Sequence, residues 1–370
     1  MTAEPAHLTP QEVEQPNTTA GVKRGKVDRG NQLLFLRNGK VVAGLIVLAF
    51  FTVIAIIGPY VAPYDPDALG DDIVQPPSAL HWFGTASLGQ DIFSQVLVGT
   101  RSVMFVGFVA GILATFIAVV VGVTAGYLGG AADEGLSLLS NVFLVLPALP
   151  LIIIIAGPLD GAPNIVVAVV IAITAWAWGA RVLRAQTLSH RRRDYVEAAR
   201  ANGESTPRIV LAEILPNLSA IIASSFVGTV TFAILTQVTL AFIGVTGLDQ
   251  WSWGTVLFNA QSNQALIRGA WWWFVPAGLC IAAVGVALAL VNFGIDEFVN
   301  PRLRSTGKYA KALKKRGVRA RVGFTPVDRS PAGHGPVNQR PHAVVTVAAT
   351  SPAPAAPAPN PTTPQPKEAP

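Results

Sequence analysis

Charge is what this sequence has least of. Asp, Glu, Lys and Arg make up 13% of its 370 residues, about half the share usual in soluble domains. Too little polar surface is available to wrap a water-soluble core of this size. With a mean hydropathy of +0.48, the chain is expected to be a membrane protein. Cysteine is nearly absent: Cys280 stands alone in an apolar run, which excludes an internal disulfide framework and reads as packing. His7, His81, His190, His334 and His342 are scattered without metal-ligand spacing. No GxxxxGK[ST] stretch occurs, and no Leu-Ser-Gly-Gly-Gln, so the chain holds none of the usual apparatus for hydrolysing ATP. The net charge of +6 falls on loops and tails, and nucleic-acid binding is not read from it.

What is present is a set of long apolar runs. A helix needs about 20 residues to cross a bilayer core, and six segments suffice: 41–62, 102–127, 136–157, 164–183, 217–244 and 271–294. The third carries Pro147 and Pro150, which should bend or break it. About forty polar residues precede the first run, which is expected to be a retained anchor and not a cleaved signal. Gly107/Gly111 and Gly122/Gly126 in the second run have the spacing that lets membrane helices approach closely.

Basic residues orient the spans. Of the 27 Lys and Arg, 25 lie in residues 1–40, in 181–216 or beyond 300, all on one side of a six-span chain; Arg101 and Arg268 lie on the other. Both termini and the 184–217 loop are therefore expected in the cytoplasm. The 63–100 segment, with Asp65, Asp67, Asp71, Asp72 and Asp91 and no basic residue, is expected outside. Trp251, Trp253 and Trp271–Trp273 sit where an aromatic interfacial belt belongs and read as helix anchors. Asp296 and Glu297 are expected to form an ion-pair cluster with Arg302 and Arg304. Residues 305–370 form a separate tail. Its 308–321 stretch is basic and can lie against anionic lipid, and its end, with eight prolines in 351–370, cannot bury a core.

One charged insert interrupts the apolar pattern: DYVEAARANGESTPRIVLAEILPN, Asp194 to Asn217. Asp194 is placed to cap a short helix over 195–202, with Glu197 three residues on. Gly203 supplies a left-handed stop. Thr206 caps a second helix with Pro207 in its first turn, and that helix runs to Pro216. Val196 and Ala199 form a small apolar face, beside the charged Glu197 and Arg200. The insert reads as a helix–glycine–helix hook for a partner's groove.

That spacing resembles the cytoplasmic signature loop of bacterial ABC importer permeases. The loop's pattern falls on Glu197-Ala198-Ala199, Gly203, and Leu215-Pro216 at the end, with Glu213 departing from the usual apolar residue or histidine. HWFGTASLGQDIFSQVLVGTRS (81–102), AGYLGGAADE, LVLPALPL, AILTQVTLAFIGV and NFGIDEFVNPRLR are similar to the dipeptide/oligopeptide type, although Ala86 and Gln90 stand where Asp and Arg are typical, and Gln237 where Glu is common. The likeness covers roughly 33–304.

It implies an all-α, type I (MetI-like) permease of six spans in a bacterial cytoplasmic membrane, working beside a second homologous permease, two ABC ATPase subunits and an extracellular substrate-binding protein. ATP and Mg would be used by the ATPases and no cofactor held here. The substrate would be a peptide, with oligosaccharide or another small solute as the alternative. ATPase coupling would fall to Asp194, Tyr195, Glu197, Ala198, Ala199, Arg200, Gly203, Leu215 and Pro216. Of the polar residues within spans, Gln237, Asn141 and Thr236 are expected either to line a translocation path or to bond between helices. An ion-coupled carrier is disfavoured because no Asp or Glu lies centrally in a span, and a membrane enzyme because no catalytic constellation lies at membrane depth.

Overall fold

The computed structural model describes residues 39–159, 163–247 and 249–299. The described part is helical: α1 (Gly39–Val61), α2 (Ile92–Leu128), α3 (Gly130–Val145), α4 (Ala148–Ala156), α5 (Asn164–Arg191), α6 (Asp194–Ala201), α7 (Thr206–Ile209), α8 (Leu215–Phe242), α9 (Trp253–Ser262) and α10 (Trp271–Val299). In hydrocarbon a backbone must satisfy its own hydrogen bonds, which a helix does within one segment. Five helices are long and apolar enough to cross a membrane, and α3 with α4, bent by 87°, make six if the pair is counted as one span. The bend has its expected cause. Leu146 is extended (ψ 130°) before Pro147, as a residue preceding proline prefers, and α4 restarts with Pro147 at its cap.

α2 is the spine, and its glycines decide what it touches. A Cβ on Gly107 would lie 2.3 Å from Ile234 Cγ1, and one on Gly111 2.4 Å from Val230 Cγ2, so this pair seats α8. A Cβ on Gly122 would lie 2.4 Å from the Ala180 carbonyl oxygen, and one on Gly126 2.7 Å from Thr187 Cβ, so that pair seats α5. α1 packs against α10 by the same device, with Gly44 against the Ala287 carbonyl and Gly294 against Val41.

Ahead of α2, residues 62–91 are not helical; the chain doubles back in a tight scaffold. Gly70 N–H donates to the Leu88 carbonyl, Val74 to Ala86 and Thr85 to Gln75. The scaffold ends on Asp91, which caps α2: Oδ2 accepts from Ser94 N at 2.8 Å and from Ser94 Oγ at 2.6 Å, while His81 Nδ1 lies 3.0 Å from Oδ1. Ala86 is buried and Gln90 Oε1 accepts from Gln95 Nε2 at 3.3 Å, so no charge is used at these two positions.

Two expectations need correction. Trp253 and Trp273 are 0% and 1% exposed, so they are core residues and not interfacial anchors. Trp253 Nε1 donates to Thr100 Oγ1 at 3.1 Å, fastening α9, an element absent from the six-span reading, to α2; Trp271 alone of the 271–273 run is largely exposed, at 55%. The expected ion-pair cluster of Asp296 and Glu297 with Arg302 and Arg304 lies partly outside the described residues, as do the 1–38 segment, the 308–321 stretch and the 351–370 tail.

Gly122→Ala should force α2 and α5 apart, because the methyl meets a backbone carbonyl. A loss of about 1–3 kcal/mol is expected for such overpacking, read as a lower melting temperature of detergent-purified protein. Gly285→Ala, with nothing within 4 Å of its Cβ position, should show no loss.

Candidate functional site

α5 runs on past its apolar stretch to Arg191, and only Arg192 and Arg193 separate it from α6. α6 begins at Asp194 with Arg193 as N-cap and no side-chain cap. Asp194 is thus the first helical residue, where its charge still suits the positive end of the helix dipole, and not the cap expected of it. The stop at Gly203 has the predicted form: φ is +76°, Glu204 N–H donates to the Ala199 carbonyl at 3.1 Å and Gly203 N–H to the Arg200 carbonyl at 2.9 Å. These are the paired bonds of a Schellman motif. Ser205, not Thr206, is the N-cap residue of α7, without a side-chain cap bond, and Pro207 lies in its first turn.

The helix that begins as α7 is not stopped by Pro216. It passes through one wide π turn, Val210–Ile214, into α8, and the apolar rod spans Thr206–Phe242. Pro216 has no N–H and its ring crowds the carbonyl four residues back. The π turn, closed by Leu215 N–H on the Val210 carbonyl, relieves that crowding.

The hook therefore hangs between two long helices, and its apolar face is turned inward. Val196, Ala199, Ile209 and Ile214 join the bundle core with Leu183 and Leu218; Val196 is fully buried. The expectation that Val196 and Ala199 face a partner is thereby corrected. The face left open carries Asp194, Tyr195, Glu197, Ala198 and Arg200. Gly203 and Pro216 are exposed and Leu215 is half-buried.

Polar contacts fix the hook's base. Tyr195 Oη lies 2.6 Å from His190 Nδ1; burial pushes the phenol above its usual pKa, with Arg193 opposing and Glu213 adding, so it stays a neutral hydroxyl at neutral pH. Arg200 stands over the Tyr127 ring, 5.2 Å from its centroid, and Nε donates to its Oη at 3.4 Å. Asp133, just after α2, takes both Nε and Nη2 of Arg184, the latter at 2.8 Å. Tyr127 and Asp133 were not singled out as site residues. They are 73 and 51 residues from their partners, and no local periodicity marks such pairs.

A second feature lies beside the hook. Between the α3–α4 bend, α5 and α8 opens a groove of about 810 Å³, running from Pro147, Thr174 and Phe232 down to Val182, Ala220 and Asp296. Its walls are apolar and aromatic, with hydroxyls from Ser224, Ser225 and Thr229, and among the described residues Asp296 is the one charged residue lining it.

Gln237, Thr236 and Asn141 line none of this groove, and Asn141 lies apart from the other two. Gln237 and Thr236 are buried at the far end of α8, where Gln237 borders a polar pocket with Ser102, Asn164 and Ser252. Gln237 Oε1 has no hydrogen-bond partner among the described residues. The interhelical bonds here come from elsewhere, Asn164 Nδ2 to Ser102 Oγ at 3.1 Å and Ser224 Oγ to Asn292 Oδ1 at 2.7 Å. Asn141 lies in a separate cleft near Arg181 and Arg184.

Residues 118–305 match the family model described as the binding-protein-dependent transport system inner membrane component. Residues 34–77 match the N-terminal TM domain of oligopeptide transport permease C. The chain is 33% identical over 275 residues to the dipeptide transport system permease protein of Bacillus subtilis, covering 72% of this chain and 83% of that one. It is 32% identical over 275 residues to the oligopeptide transport system permease protein of Mycobacterium tuberculosis, covering 73% and 93%. The corresponding oligopeptide permease of Bacillus subtilis is 33% identical over 278 residues, covering 74% and 88%.

If the Tyr127 ring holds the hook, Tyr127→Leu should speed hydrogen exchange across Asp194–Gly203. Tyr127→Phe, which keeps the ring face, should leave most of the protection. A cation–π contact of this exposure contributes about 0.5–1 kcal/mol, a two- to fivefold change in exchange.

Proposed function

The chain belongs to the family of binding-protein-dependent transport system inner membrane components, and from that premise we propose that it is the transmembrane half-channel of an ATP-driven peptide importer. Peptide is preferred to oligosaccharide because the relatives named above are dipeptide and oligopeptide permeases. A second homologous permease faces the groove and closes it into a path. Two ATPase subunits sit beneath the hook, and an extracellular binding protein delivers the substrate. Both termini and the hook lie in the cytoplasm in this reading, which the one-sided distribution of basic residues supports. ATP and Mg act in the ATPases, and this chain performs no hydrolysis.

The observation that carries this reading is how the hook is attached. α6 is welded to the core through Val196 and Ala199 and joined to α5 by two residues, while its outer face is exposed. A load on Asp194, Tyr195, Glu197, Ala198 and Arg200 must therefore move the base of α5. It also moves α8 through the unbroken α7–π–α8 rod, on which Leu215 and Pro216 lie. These two helices wall the groove, so a push from the ATPases becomes a change in the groove's width, a rigid-body transition of packed helices. Gln237 and Thr236, buried away from the groove, serve packing at its far end in this account.

Glu197→Arg with Ala198→Trp should abolish co-purification with the ATPase subunits while the protein still reaches the membrane. Gly228→Trp, placing an indole in the groove, should keep that association and block peptide uptake. Retention of full association and stimulated ATP hydrolysis by the hook variant would remove coupling from this loop.

A further inference from the structure

Beside the hook, α2, α3 and α5 enclose a cleft of about 150 Å³, far more than one water needs. Its floor is Gly122 and Ala125 of α2. One wall is Ser137, Ser140 and Asn141 of α3, the other Arg181 and Arg184 of α5. Among the described residues no carboxylate lines it. Arg184 gives Nε and Nη2 to Asp133, leaving Nη1 for another acceptor. Arg181 has no hydrogen bond or ion pair among the described residues and is exposed. Ser137 Oγ is spent on Asp133 and Ser140 Oγ on the Leu136 carbonyl, so the donors left free are guanidinium groups and the Asn141 amide.

Position matters as much as chemistry. Arg181 and Arg184 sit where the apolar stretch of α5 gives way to the charged loop, and Ser137 begins the apolar stretch of α3. In the orientation proposed above, on which this inference rests, that is the level of the lipid headgroups, where paired arginines between membrane helices recognise phosphate.

We propose that this cleft binds a phosphate group, held by Arg181 with Arg184 Nη1 and Asn141 Nδ2, and presented by an anionic phospholipid or as free phosphate. Occupancy would tie α3 to α5, two helices that wall the groove, and so make the bundle's mechanics depend on its surrounding lipid.

The test uses the full-length protein in nanodiscs of phosphatidylcholine containing phosphatidylglycerol, with retained lipid counted by native mass spectrometry. Variants are Arg181→Gln and, as an exposed arginine outside the cleft, Arg192→Gln. In parallel, sodium phosphate is titrated against lipid-free, detergent-solubilised protein and followed by phosphorus NMR. The expected result is one retained phosphatidylglycerol on wild type and Arg192→Gln. Its retention should fall roughly fivefold in Arg181→Gln, one arginine's attraction to a headgroup. Line broadening of free phosphate, lost in Arg181→Gln, would support the cleft with the soluble source. Equal retention and equal broadening in wild type and Arg181→Gln would overturn the proposal, as would an equal loss in Arg192→Gln. Because Arg181 makes no hydrogen bond or ion pair among the described residues, an unchanged melting temperature of Arg181→Gln keeps either outcome interpretable.

Discussion

The close approach of α2 to its neighbours is the contact on which the rest of this protein depends. Lipid tails are as apolar as the helices they surround, so burial of apolar surface drives helix association only weakly, and packing at short range must do it. α2 meets that need with two glycine pairs on different faces. Gly107 and Gly111 receive Ile234 and Val230 of α8, and Gly122 and Gly126 receive Ala180 and Thr187 of α5. The two helices that flank the hook are thus both registered against one spine. Without that registration, neither the groove between them nor the loop joining them would have a defined geometry.

The hook inherits its order from the same source. An eight-residue helix such as α6 has little stability alone. It is held because Val196 and Ala199 enter the core, Gly203 closes its last turn, and Tyr127 from the end of α2 receives Arg200. Asp133 and Arg184 lock the neighbouring turn of the chain to the base of α5. Each contact is modest, in keeping with partly exposed charges. Together they join a short surface element to a membrane bundle at several points, and this lets a local load be felt as helix movement.

Much of this was legible because the membrane imposes simple rules. The six spans, the bend at Pro147 and Pro150 and the left-handed stop at Gly203 follow from span length, from the missing proline N–H and from glycine's free φ. The errors share a cause. Asp194 looked like a cap, Val196 and Ala199 like an outward face, and Trp253 like an interfacial anchor, each from local composition. Whether a residue caps, faces out or lies in the core depends on what arrives beside it from elsewhere in the chain. For Trp253 that is Thr100, 153 residues away.

The sequence alone determined the number of spans, the side on which charge collects, and the spacing of the Glu197–Pro216 insert, since these rest on composition and on distances along one chain. Tertiary structure alone decided the inward turn of α6, the pairing of Asp133 with Arg184, the burial of Gln237 away from the groove, and the groove itself. Those depend on which helix faces meet, and with lipid and protein interior equally apolar, no hydrophobic pattern distinguishes the face that meets a neighbour from the face that meets lipid.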